Sequence, residues 1–139
     1  MIDYSDVESV IENCFEQLQE ASREKYDSDK ADRTAALFLA AQMKLAFVIE
    51  EVEMKAKNAK NEIARVEGEK YFEFKTNGTG KNTENTIKSN VDKDADVVAV
   101  KLECAKQEAN VKKWNYIMAT LKDSHIYFRN VSKSKSWQE

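Results

Sequence analysis

The chain has 139 residues, of which 42% are apolar and 34% charged, and its formal net charge is −3. This length suits one domain, the apolar content excludes a fully disordered chain, and the charge by itself argues against a strongly nucleic-acid-seeking protein. No proline and only three glycines interrupt the sequence, whereas a β-rich domain needs many turn residues. The composition therefore predicts a single all-α domain over residues 1–139.

The opening sequence MIDYSDVESV has neither a basic start nor an apolar run, so no signal peptide is expected. No apolar stretch approaches the ~20 residues that cross a bilayer. Cys14 and Cys104 are isolated and lie on apolar faces, unlike the clustered cysteines of a secreted disulfide framework. We therefore expect a cytoplasmic protein, in the host cytoplasm if phage-encoded, with two reduced core thiols.

The first predicted helix covers about residues 6–26. Ser5 and Glu8 have the spacing of a capping box, in which each side chain satisfies a free backbone N–H. Apolar residues then recur at helical spacing: Val7, Ile11, Cys14 and Leu18. Residues 1–20 hold six acids and no base, so this helix is expected to present an acidic surface.

The second predicted helix covers about residues 30–74. Its apolar face is Phe38, Ala41, Leu45, Val48 and Val52, continued by Ala59, Ile63 and Val66. At 1.5 Å per residue it would be roughly 65 Å long, so its far end needs a partner or stands in solvent. Gly68 is a weak point or an end. A glycine-containing loop is predicted over about 75–83, followed by a short helix over about 84–91.

The last predicted helix covers about residues 95–131 and carries the most regular apolar pattern. Its seam alternates three- and four-residue steps: Val97, Val100, Cys104, Gln107, Val111, Trp114, Met118, Leu121, His125 and Phe128. More than four heptads of this pattern are typical of a coiled-coil-like helix. We therefore predict long amphipathic helices in a bundle whose core is completed by homo-oligomerisation.

Two segments combine basic and aromatic residues. Lysines neutralise phosphates and aromatic rings stack on unpaired bases, so both segments are candidates for binding single-stranded nucleic acid. Their candidate contact residues are Lys70, Tyr71, Phe72, Lys75 and Lys81 in the first, and Lys112, Lys113, Lys122 and Arg129 in the second. The alternatives are that the first segment packs at a helix end and that the second is a solvated charged face.

No motif predicts catalysis, a metal or a cofactor. Asp92, Asp94, Asp96 and Glu103 have the spacing of a calcium loop, but Val97 occupies the position where that loop needs glycine. The segment 80–83 resembles the end of a phosphate-binding loop without its first glycine or a preceding strand. His125 is the only histidine, and no nucleophile or carboxylate partner accompanies it. We expect a non-enzymatic protein without a cofactor.

The layout resembles the UvsY-type recombination mediators of tailed phages over about residues 40–137. The similar features are a charged helix running into EKYFEFKTNGTGKN, the segment VDKDADVV at the start of a final helix, a central Trp114, and TLKDSHIYF near the end. The resemblance implies a helical protein that forms a ring-like homo-oligomer and binds single-stranded DNA. It also implies assistance to a RecA-like recombinase in displacing a single-strand-binding protein. The pI of about 5.4 departs from what DNA binding favours.

The predicted function is therefore that of a single-stranded-DNA-binding recombination mediator. The alternative is a structural or adaptor coiled-coil protein, such as a scaffold, chaperone or host-defence antagonist, that binds only protein partners.

Overall fold

The computed structural model describes residues 4–23, 28–77 and 83–136. They form four α-helices: α1 (Tyr4–Arg23), α2 (Ser28–Asn77), α3 (Glu84–Lys93) and α4 (Ala95–Ser136). No strand occurs among these residues, so the predicted all-α fold is confirmed. Whether the chain is one domain, as predicted, and whether it self-associates stay predictions.

Polar side chains cap the N-termini of the last two helices. The hydroxyl of Thr83 accepts a hydrogen bond from the backbone N–H of Thr86 and caps α3. A carboxylate oxygen of Asp94 accepts from the N–H groups of Asp96 and Val97, at 2.9 and 3.3 Å, and caps α4. Asp94 and Asp96 therefore belong to the start of a helix. Ser5 lies inside α1 rather than at its cap, because that helix already includes Tyr4.

The long helices extend beyond their predicted ends. Helix α2 passes through Gly68 without a break and continues to Asn77. The Thr76 hydroxyl donates to the carbonyl of Phe72 at 2.9 Å, which keeps this residue in the helix, so the predicted loop start at 75 is wrong. Residues 78–82 of that predicted loop lie outside the described residues. Helix α4 continues to Ser136 because the polar stretch after 131 contains no helix-breaking residue.

The chain divides into two compact units. The first, here called the α1 unit, comprises Met1–Glu50 and Lys112–Glu139, and the second, the α3 unit, comprises Glu51–Val111. In the α1 unit the rings of Phe38 and Phe128 lie 5.4 Å apart, and the carbonyl of Ala35 accepts a hydrogen bond from Nδ1 of His125 at 2.9 Å. Helices α2 and α4 therefore pack directly on each other in this unit, and buried Val7, Ile11 and Cys14 join the core from α1.

The core of the α3 unit is smaller. Val66, Ile87, Val91 and Val97 are buried together, and Tyr71, Phe74 and Val100 pack against them. The short helix α3 thus packs its two apolar residues between the last part of α2 and the first turns of α4. Within the described part of the chain, no helix has an apolar stretch that could cross a membrane.

Candidate nucleic-acid interface

Lys70 lies among carboxylates. Its Nζ is 3.1 Å from Asp96, 3.6 Å from Asp94 and 3.6 Å from Glu73. The hydrogen bond to Asp96 raises the pKa of Lys70, and the charges of Asp94 and Glu73 add to the rise. Three carboxylates around one ammonium leave a local excess of negative charge, so this lysine is badly placed to contact a phosphate.

The other residues of this segment divide between packing and exposure. The Tyr71 hydroxyl donates to Glu84 at 2.8 Å, which raises the pKa of Tyr71, and its ring packs on the α3-unit core. Lys75 lies 6.0 Å from the centre of that ring. Phe72 is 67% exposed and is the only one of the predicted stacking rings that points into solvent. Lys81 lies outside the described residues. The segment thus behaves largely as packing at a helix end.

The basic residues of α4 in the α1 unit are arranged differently. Lys112, Lys113, Lys122 and Arg129 are all exposed, and we call the solvent-exposed side of the helix that carries them the basic face of α4. This side extends about 200° around the helix axis, with Lys113 at one edge and Lys122 and Arg129 at the other. Within residues 4–23, 28–77 and 83–136 none of the four forms an ion pair. Between the first and the last of them α4 rises about 25 Å. Asp123 is the single acid of this stretch.

Exposed aromatic rings accompany the basic face. Tyr116 is 75% and Tyr127 54% exposed, so both rings can meet a flat ligand. Trp114 is buried; its ring lies 6.4 Å from that of Tyr4, and Lys113 lies 5.0 Å over it. This cation–π contact orients Lys113 beside the helix. The α4 segment therefore presents both groups that single-stranded nucleic acid requires.

The same unit carries an acidic surface on α1. Glu8, Glu12, Glu16 and Glu20 are exposed and stand at four-residue intervals, which places them on one side of the helix. Two acids of α1 form ion pairs with α2: Asp6 with Lys44 at 2.9 Å and Glu20 with Lys30 at 3.8 Å. Among the described residues, no acid of α1 pairs with the basic face of α4, so the acids do not mask these four cations by direct contact.

The predicted oligomer seam of α4 lies against the chain's own helices. In the α1 unit, Trp114, Leu121 and Phe128 are buried, and Met118 and His125 are half-buried. The α3-unit members are equally enclosed, with Val97 and Cys104 buried and Val100 and Val111 half-buried. Five of these nine side chains are thus buried within one chain, and the other four are covered in part. Self-association through this seam stays a prediction, and an apolar surface that is exposed in the single chain is a second candidate for it.

Helix α2 carries an exposed apolar surface that the apolar periodicity of the sequence did not reveal. Leu39, Met43 and Phe47 are 47%, 65% and 66% exposed, opposite the buried face of Phe38, Ala41 and Leu45. Between residues 35 and 49 only Gln42 and Lys44 are polar. A helix that is apolar on every side is normally buried on every side, and this composition is the signal that would have identified the second face.

No protein-family model, curated protein or solved structure matches this chain.

Proposed function

We propose that the protein binds single-stranded DNA through the basic face of α4 and acts as a non-enzymatic recombination mediator. The observation that carries the DNA-binding part is that four exposed cations, none of them in an ion pair among the described residues, occur with two exposed tyrosines on one helical segment. Lys112, Lys113, Lys122 and Arg129 would neutralise phosphates, while Tyr116 and Tyr127 would stack on bases.

The recombination part of the proposal is supported by the resemblance to UvsY-type mediators. Such a protein acts as a homo-oligomer on single-stranded DNA and helps a RecA-like recombinase replace a single-strand-binding protein. A weak contact repeated on every copy gains affinity through multivalency. Self-association would therefore compensate for the small number of cations on the basic face of each chain.

The test is fluorescence anisotropy of a labelled, unstructured single-stranded oligonucleotide across a salt series. Binding releases counterions, and each phosphate contact contributes about −0.7 to the slope of log K against log salt concentration. Four contacts per chain therefore predict a slope of roughly −3 per bound chain. Duplex DNA should bind less well because its bases offer no free faces. Wild-type protein that binds no single-stranded DNA even at ~50 mM salt would exclude the proposal.

Substitutions distinguish the two candidate segments. Lys122→Ala should reduce the slope by about one contact, whereas Lys57→Ala, an exposed lysine of the α3 unit, should leave it unchanged. Tyr116→Ala should weaken binding by roughly 1–3 kcal/mol with little change in slope. Phe72→Ala is its matched control. A larger effect from Phe72 than from Tyr116 would move the site to the end of α2.

An adaptor that binds only protein partners is the second candidate. The row of glutamates on α1 favours it, because an acidic surface in the same unit repels a polyanion. The same salt series separates the two functions. Association through apolar contacts should hold or strengthen as salt rises, whereas phosphate binding weakens steeply.

A further inference from the structure

The exposed side of α2 in the α1 unit carries an apolar stripe with charged ends. We call the residues at its centre line the α2 stripe: Arg33, Ala36, Ala40, Met43, Phe47 and Glu50, all of them exposed. Their spacing of 3-4-3-4-3 is that of the core positions of a coiled coil. Among the described residues, neither Arg33 nor Glu50 forms an ion pair.

The α2 stripe is complementary to a second copy of itself that runs in the opposite direction. In an antiparallel pair with the two-fold axis between positions 41 and 42, Arg33 meets Glu50 of the other copy. Ala36 then meets Phe47, and Ala40 meets Met43. Each pair joins a small side chain to a large one or a cation to an anion, as interdigitated packing and charge complementarity require.

The parallel alternative fails on the same residues. In a parallel, in-register pair every residue of the stripe meets its own copy. Arg33 would face Arg33 and Glu50 would face Glu50, which is repulsive. Ala36 would leave a gap opposite Ala36, while Phe47 would crowd Phe47. The sequence of the stripe therefore selects the antiparallel arrangement, which is a closed two-fold interface using the same patch on both copies.

We propose that a second copy of this chain covers the α2 stripe in an antiparallel, two-fold contact. The inference supplies a surface for the predicted self-association and does not depend on DNA binding. The stripe is about 25 Å long and one helix, about 10–12 Å, wide. This is small beside the ~800 Å² that each partner buries in a typical specific interface. The contact by itself should therefore be reversible, with a dissociation constant in the micromolar range.

Disulfide cross-linking tests the register. Arg33→Cys and Glu50→Cys are made separately, mixed under reducing conditions and then oxidised without DNA. In the proposed register positions 33 and 50 of opposite copies face each other within disulfide reach, whereas two copies of position 33 lie about 25 Å apart. The mixture should give a cross-linked dimer of twice the 16.0 kDa chain mass, and each variant alone should not. Wild type, whose Cys14 and Cys104 are buried, is the background control.

Cross-linking of Arg33→Cys with itself would overturn the proposal in favour of parallel pairing. The absence of a dimer in the mixture at several hundred micromolar protein would overturn the contact altogether. Because no DNA is present, either failure leaves the proposed DNA binding untouched, and a failure of DNA binding leaves this interface untouched.

Charge exchange gives a second, non-covalent test by light scattering over a concentration series. Arg33→Glu and Glu50→Arg should each raise the dimer dissociation constant about five- to tenfold, since each places two like-charged pairs in the contact. The doubly exchanged chain should return to the wild-type value. Met43→Glu, at a 65% exposed position, should give a folded monomer at every concentration. A wild-type mass that stays at 16.0 kDa throughout, or no recovery in the double exchange, would contradict the interface.

Discussion

The fold strongly alters the acid–base chemistry of Cys14. Burial raises the pKa of its thiol from 9.0 to about 11, because a buried thiolate loses hydration. Between these two values the unfolded chain releases the proton and the folded chain keeps it. The free energy of unfolding should therefore fall as pH rises from about 9 to about 11.

Urea unfolding at several alkaline pH values measures this effect. Cys14→Ala should lower stability through the cavity it creates, but its unfolding free energy should decline less steeply over that pH range than that of wild type. A thiol reagent should modify Cys14 quickly only in denatured protein. Equal alkaline slopes in the two proteins, or rapid reaction of the native thiol, would show that the side chain is exposed.

Lys70 shows which part of a candidate site could not be predicted from the sequence. Its aromatic neighbours and its charge are visible in the local pattern. Its partners Asp94 and Asp96 are not, because they reach it only when the start of α4 returns beside the end of α2. The basic face of α4 was predictable because its cations and tyrosines lie on one continuous helix, where spacing alone fixes their relative positions.

The start of α4 depends on one side chain. Asp94→Ala removes the acceptor for two backbone N–H groups and should destabilise the protein by about 0.5–2 kcal/mol. Asp94→Asn keeps a side-chain acceptor and should lose less. Thermal unfolding of the three proteins measures the difference. If the two variants were equally destabilised, the charge of Asp94 near Lys70, rather than its capping hydrogen bonds, would be responsible.

Gly68 is an unfavourable residue within α2. A Cβ added there would have no neighbour within 4 Å, and alanine is better than glycine in a helix by about 1 kcal/mol. Gly68→Ala should therefore raise the free energy of unfolding by up to that amount and Tm by roughly 2–5 °C. Ala64→Gly, at an exposed position one turn earlier, should produce the opposite change. A lower Tm for Gly68→Ala would mean that the glycine relieves a strain in α2.

At the level of helices the sequence was most informative where periodicity is strict. The four helices were predicted with starts within about two residues of those observed, since capping residues and apolar spacing are local properties. The ends of α2, α3 and α4 were predicted too early because polar residues without glycine or proline do not stop a helix. Thr76 illustrates this, as its hydroxyl hydrogen-bonds within the helix that it was expected to leave. The predicted end of the first helix, at about residue 26, lies outside the described residues.

Across the molecule, periodicity indicates that a face is buried but not which chain buries it. Leu121 was expected to contact another copy and is instead fully buried in its own α1 unit. Leu121→Glu should therefore unfold that unit, because a charge would be placed in an apolar core. Circular dichroism should show that this variant has lost helix, whether it stays soluble or aggregates. A fully helical variant that merely became monomeric would restore Leu121 to an intermolecular interface.

The distribution of charge over the whole chain gives the last prediction. Glu12 and Glu16 belong to the acidic side of α1, in the same unit as the basic face of α4, and do not pair with it. If that face binds DNA, these carboxylates oppose the ligand at a distance. Replacing both by glutamine raises the formal net charge by two from −3 and should strengthen binding of single-stranded DNA at ~50 mM salt.

The gain should fade as salt rises, since the screening length falls to about 8 Å at 0.15 M ionic strength. Anisotropy titrations of wild type and the double variant across the salt series measure the gain in affinity and its dependence on salt. Because no phosphate contact is added, the variant should bind DNA as wild type does at the highest salt concentrations. A new phosphate contact would instead change the slope of log K against log salt concentration over the whole series. No gain at low salt would indicate that DNA binds out of reach of α1. A gain that persisted at high salt would indicate that α1 itself touches the strand.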